Sequence, residues 1–209
     1  MRAPTWQQVR HQARLMGRTA REVAREPERG RELGRLLGTR GRSTSRLRLP
    51  WLPFRLIDEL AEVVGPGSRV FEFGGGGSTL WFLDRGCEVV TVEHVPAWSE
   101  RLAGLVTSDR WVLLDRGADD GYDSYVAAIE DYPEDTFDVV VVDGRERVRC
   151  AHAALSRVRP GGWLVVDDVD RERYADGLAA IAWPRRDVVG FAPAKPSLAY
   201  TAVFTRPPE

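Results

Sequence analysis

Val70-Phe71-Glu72-Phe73, then Gly74-Gly75-Gly76-Gly77-Ser78-Thr79, then Leu80-Trp81-Phe82-Leu83, is the stretch on which the fold turns. The short β-prone run Val70–Phe73 reads as a strand, and the apolar run Ser78–Arg85 reads as a helix. Four consecutive glycines between them let the backbone turn tightly and let a ligand approach without a Cβ in the way. A strand that passes to a helix through such a loop marks a ligand site at the carboxyl edge of a sheet.

The same alternation extends downstream. Strands Glu88–Val92, Val112–Leu114, Val139–Val142 and Trp163–Val166 interleave with helices Trp98–Val106, Ser124–Asp131 and Cys150–Arg157. Upstream, Trp51–Val64 reads as a helix stopped by Gly65-Pro66-Gly67. Apolar strands separated by helices belong to a parallel sheet covered on both faces, so the expected architecture is an open, doubly wound α/β sandwich. After a helix near Arg173–Ile181, the strand candidates Asp187–Phe191 and Tyr200–Thr205 are joined by the short turn Ala192–Ser197, which makes them an antiparallel hairpin.

A chain of 209 residues, 43% of them hydrophobic, suffices for one such core and an extension. No apolar run approaches the roughly 20 residues that span a bilayer, and the N-terminus lacks a secretory signal's apolar stretch, so a soluble, cytoplasmic protein is expected. Cys87 and Cys150 are far apart and have no metal-binding spacing, which argues for buried apolar roles. The net charge of -1 conceals an asymmetry: residues 1–50 hold 13 Arg against 4 Glu, and residues 51–209 hold 17 basic and 27 acidic side chains.

Within the basic head, Val9, Ala13, Met16, Ala20 and Val23 recur at helical spacing, with Arg10, Arg14, Arg18, Arg21 and Arg25 on another face. Pro27, Gly30, Gly34, Gly38 and Gly41 then interrupt the pattern, and 40–50 reads as an irregular connector. The expected division is a helical extension and connector over 1–50 and a domain over 51–209. The head lacks aromatic interleaving, so a lid or a homodimer contact is expected of it, and nucleic acid is not.

Glu93 follows the second strand, 19 residues after Gly74, where a carboxylate accepts hydrogen bonds from two adjacent ribose hydroxyls. Glycine loop and carboxylate together imply an adenosine-containing ligand. The NAD fingerprint wants glycine at the sixth position of GxGxxG, and Thr79 stands there. Glu72 would repel a pyrophosphate but suits a cationic ligand, so the charge favours S-adenosylmethionine (SAM) over NAD.

Over roughly residues 52–206 these features resemble class I SAM-dependent methyltransferases: Glu72-x-Gly74-x-Gly76, Glu93, a strand ending at Asp143-Gly144, and Arg159-Pro160-Gly161-Gly162-Trp163 before a strand. The resemblance implies a Rossmann-like, doubly wound, mostly parallel seven-stranded sheet with a C-terminal antiparallel hairpin, plus an N-terminal helical extension. It implies that Gly74, Gly75 and Gly76 hold the methionine portion, with Ser78 where many relatives carry another glycine. By the same resemblance Glu93, with His94 beside it, holds the ribose and the loop at Ala118-Asp119 holds the adenine. Asp143, Asp167 and Asp168 match the positions of the Mg²⁺ ligands in catechol-type O-methyltransferases, with Asp143 beside the reacting hydroxyl. Where those enzymes have a lysine, this chain has Gly144-Arg145-Glu146-Arg147. Without a metal, Arg145, Arg147 and Arg171 either neutralise the three carboxylates as ion pairs or bind an anionic acceptor at the crevice mouth, the ion pairs being the expected role.

Tyr122, Tyr125 and Tyr174 are candidates for an aromatic face toward a small-molecule acceptor, and His11 and His152 are expected to be structural. The expected function is SAM-dependent O-methylation of a sugar or natural-product hydroxyl. The alternatives are a non-catalytic module binding nucleic acid or a protein through the basic helix, and an aminopropyl transferase.

Overall fold

The computed structural model describes residues 29–195 and 197–208. The expected amphipathic helix over 5–25 lies outside them. Seven strands, β1 (Arg69–Phe73), β2 (Glu88–Glu93), β3 (Trp111–Asp115), β4 (Phe137–Val142), β5 (Val158–Asp167), β6 (Arg185–Gly190) and β7 (Ala199–Thr205), form one sheet in the order β3-β2-β1-β4-β5-β7-β6. The first five run parallel; β7 is antiparallel to β5, and β6 to β7. This is the doubly wound sheet with a closing hairpin that the sequence predicts.

Side-chain alternation along the strands builds two cores. On β1, Phe71 and Phe73 face a cluster with Tyr125, Ile129, Cys150, Ala154 and Leu178, while Val70 faces Phe54, Ile57, Leu60, Trp81 and Phe82. Val139–Val142 of β4 is buried throughout, as a central parallel strand covered on both faces must be.

The helices are α1 (Arg29–Thr39), α2 (Thr44–Leu47), α3 (Phe54–Val63), α4 (Gly77–Asp84), α5 (Pro96–Ala103), α6 (Asp123–Ala127), α7 (Arg147–Ala154) and α8 (Ala175–Ala179), with single 3₁₀ turns at Ala128–Asp131 and Glu172–Tyr174. Two expectations for residues 29–50 are corrected. Gly30, Gly34 and Gly38 do not interrupt the chain but lie inside α1 with nothing near their missing side chains. The roughly 1 kcal/mol that each glycine costs a helix is offset by Leu33 and Leu36 packing on the core. Part of the connector is helical too: Ser43 caps α2 by accepting from Arg46 N at 3.3 Å.

The segment before α3 is tied to the sheet at several points. Glu32 Oε2 accepts from Phe191 N at 3.0 Å, Thr39 Oγ1 accepts from Ala194 N at 3.1 Å, and Arg35 pairs with Asp58 at 2.6 Å over the Phe54 ring. Strand β5 begins earlier than expected, at Val158, because its register against β4 slips between Phe137 and Val139 and accommodates Arg159–Gly162. Among the described residues no helix is long and apolar enough to cross a membrane.

Candidate functional site

The sheet order reverses between β1 and β4, and there the carboxyl ends of the strands open into a crevice. Gly74 takes φ +91° and runs so close to the β4 exit that a Cβ would lie 3.0 Å from Gly144 Cα. Gly75 is boxed in from the other side, since a Cβ there would lie 2.5 Å from Thr91 Cγ2 and 2.7 Å from Leu102 Cδ2. The loop is therefore glycine for packing as well as for access.

Two carboxylates hold this loop. Glu93 Oε2 accepts from Gly75 N at 3.2 Å, and Oε1 accepts from His94 N at 2.8 Å and Val95 N at 3.0 Å. Glu72 is fully buried behind the loop, where its Oε2 accepts from Thr79 Oγ1 at 2.6 Å and Thr91 Oγ1 at 3.2 Å, and Thr79 Oγ1 accepts from Gly76 N at 3.0 Å. Burial pushes the Glu72 carboxyl up to about 7, against the opposing hydrogen bonds of its neighbours. Trp98 completes the frame by donating from Nε1 to Gly75 O at 2.8 Å.

A cavity of about 590 Å³ lies over this frame. Its walls include Gly74–Ser78, Glu93, His94, Trp98, Asp143, Asp167 and Asp168, together with Trp51 and Thr44 from the segment before α3. The expected loop residues, Glu93 and His94 are thus brought together. Glu72 is not among the walls: the expectation that it meets a cationic ligand is corrected, because it shares the β1 face of Val70 and points under α4. Asp119 is placed on the exposed loop after β3 and lines neither this cavity nor the next.

Asp143, Asp167 and Asp168 do converge, as expected. Arg147, nearly buried, lies 3.0 Å from Asp143, 3.3 Å from Asp168 and 4.0 Å from Asp167. Lys195 Nζ lies 3.0 Å from Asp168 and 3.8 Å from Asp167, and Arg171 also pairs with Asp168. Burial, then the nearby Asp167, raises Asp143 above the usual carboxylate range, and burial does the same to Asp167. Asp168 is lowered: burial opposes this, but the Lys195 hydrogen bond and the charges of Arg147 and Lys195 outweigh it. Lys195 is raised, burial being outweighed by the carboxylates around it.

This donor set does not fit Mg²⁺. A guanidinium and an ammonium stand against the oxygens that a metal would need, and among the described residues no three His, Cys, Asp or Glu are arranged to hold one. The expectation of a metal triad is corrected to an ion-pair cluster, in which Arg147 and Arg171 take part and Arg145 does not. Lys195 was missed by sequence reasoning, although it carries a signal: it is the only lysine among the 30 Lys and Arg residues.

A second cavity, of about 650 Å³, adjoins the first and shares His94, Asp143, Gly144, Arg147 and Arg171 with it. Tyr122 and Tyr174 line it, as expected. Tyr125 is wholly buried behind it, with its hydroxyl unpartnered where a Gly144 Cβ would lie 2.0 Å away. His94 packs edge-on against Tyr122 and Tyr125, and its Nδ1 lies 3.0 Å from Glu93 without hydrogen-bond alignment. His152 is structural: Nε2 meets Gly177 O at 2.8 Å.

No protein-family model matches the chain, and no curated protein matches it by sequence. Solved structures do match. The precorrin-6y C5,15-methyltransferase of Geobacter metallireducens superposes with TM-score 0.52 at 12% identity, covering 72% of this chain and 86% of that one. The rRNA methylase of Streptococcus thermophilus gives 0.51 at 15%, covering 71% and 93%. The chain has the class I methyltransferase fold. The fold alone does not fix the chemistry, since the spermidine synthase of Thermotoga maritima shares it with TM-score 0.52 at 14% identity, covering 68% of this chain and 53% of that one.

Proposed function

We propose that the chain is a SAM-dependent methyltransferase that acts on a hydroxyl of a small molecule, such as a sugar or a natural product. The observation that carries this reading is the pair of joined cavities, one walled by the glycine loop and Glu93, the other by tyrosines and arginines, meeting at His94, Asp143 and Gly144. The first cavity lies within the roughly 300–1,000 Å³ usual for small-ligand sites. Its glycine floor leaves the backbone open to a methionine portion, and Glu93 Oε2, which accepts only from Gly75 N, keeps a lone pair for a ribose hydroxyl.

SAM, when bound, supplies a methyl group made electrophilic by its sulfonium. The chain's residues then have positioning as their main task, and Asp143 takes the proton that an acceptor hydroxyl loses. Its raised proton affinity suits that role, and Arg147 holds it in place at 3.0 Å. An aminopropyl transferase fits less well, because the arginines of the second cavity would repel a polyamine. The non-catalytic reading depends on a basic helix outside the described residues.

Calorimetric titration with SAM tests the proposal. Wild-type protein is expected to bind, and Glu93→Ala to bind at least about tenfold more weakly, a loss of roughly 1.4 kcal/mol. Folded wild-type protein that gives no heat with SAM would sink the methyltransferase reading.

A further inference from the structure

The second cavity carries more positive charge than its surroundings need. Arginines at 145, 147, 149, 171 and 173 line it, against two carboxylates, Asp143 and Glu146. Three of these arginines are committed: Arg147 to Asp143 and Asp168, Arg149 to Asp123 and Glu146, and Arg171 to Asp168. Arg145 and Arg173 have no carboxylate within ion-pair distance among the described residues, and both are exposed to the cavity mouth. The Arg173 guanidinium is anchored, donating to the Tyr174 hydroxyl at 3.0 Å and lying 4.9 Å from that ring.

These two guanidiniums come from separate segments, the loop after β4 and the 3₁₀ turn after β5, and reach one cavity next to Asp143. We infer that the cavity takes a small organic anion, a phosphate monoester or a carboxylate, held by Arg145 and Arg173 with its uncharged portion against Tyr122 and His94. A guanidinium forms paired, charge-assisted hydrogen bonds with the oxygens of either group, and two arginines without a carboxylate partner lining one cavity favour an anion in it. Residues 51–209 are otherwise acidic, with 17 basic and 27 acidic side chains, so the excess is local and fits a compact anion better than a polyanion track. That this anion is the methyl acceptor rests on the proposed methyl transfer; the anion site itself does not.

The test titrates the full chain with inorganic phosphate and, separately, succinate at fixed ionic strength, and follows SAM binding in parallel. Wild-type protein is expected to bind one or both anions saturably, and the double variant Arg145→Ala/Arg173→Ala to bind them at least about tenfold more weakly. Its SAM affinity should stay within about twofold, because neither residue lines the first cavity. The ratio of the two anion affinities tells phosphate from carboxylate. Saturable anion binding without SAM binding keeps the site and removes the acceptor role. Anion binding that is absent, or unchanged in the double variant, overturns the site, as does affinity that rises steadily with the length of an oligoribonucleotide.

Discussion

At position 72 a carboxylate occupies a place that water does not reach, and the two hydroxyls of Thr79 and Thr91 serve only one of its oxygens. Folding therefore raises its affinity for a proton from the ordinary value of 4.5 to about 7. The stabilisation is complete below the unfolded-state value, is lost as the pH climbs through about 7, and is constant above that. At 1.36 kcal/mol per unit the swing is about 3 kcal/mol. Chemical denaturation at about pH 5 and about pH 8 is expected to show the stability gap between wild type and Glu72→Gln moving by about that amount in favour of the variant. A gap that stays constant with pH would mean that Glu72 is charged at both. The position of Glu72 was legible in principle: strand alternation puts residue 72 on the face of Val70, away from the crevice. The motif outweighed the alternation in sequence reasoning. Glu93 was readable because it ends β2, where the chain leaves the sheet beside the loop. Lys195 was not placed at the site, since its turn offered no periodicity and its partners, Asp167 and Asp168, lie at and just past the end of β5.

Helix α4 begins at a glycine with no room to be anything else. A Cβ on Gly77 would lie 2.2 Å from Leu49 O and 2.7 Å from Thr44 O, both backbone atoms that cannot rotate aside. Gly77→Ala is therefore expected to push α2 and its flanks off the crevice, and with them Thr44, a wall of the first cavity. Limited trypsinolysis checks this: cleavage at Arg46 and Arg48 should speed up several-fold while the sheet stays folded, with SAM binding weakened. Unchanged cleavage would show that the loop absorbs the methyl group. The glycine run was visible in the sequence as a loop, yet the partner of its fourth member was not. A helix of four residues, Thr44–Leu47, is too short to show a period, so 40–50 read as irregular. The strands and most helices, whose periods repeat, were recovered with shifts at their ends, while the helices expected over 124–131 and 173–181 are each part α and part 3₁₀.

Across the whole molecule, the segment before α3 closes over the hairpin that carries Lys195. Glu32 accepts from Phe191 and Thr39 from Ala194, a few residues ahead of the lysine in the ion-pair cluster. Glu32→Ala removes a charged acceptor from a part-buried amide, and a loss of about 1.5–3 kcal/mol is expected. In a domain of this size that is a fall of roughly 3–12 °C in Tm, measurable by calorimetry. No change would show that water replaces the carboxylate. Nothing local announced this closure, because hydrogen-bonded partners 155 and 159 positions apart leave no mark on the periodicity of either segment.

That same separation has a temporal meaning. Contacts that join distant positions bear the loop-closure entropy before they return anything, so they form late. On a ribosome, the glycine loop, Glu93 and Asp143 emerge well before Lys195 does, and Asp167 and Asp168 wait for their ammonium until the hairpin is made. A growing chain thus holds a crevice whose carboxylates have only Arg147 and Arg171 as partners for the interval between β5 and β7.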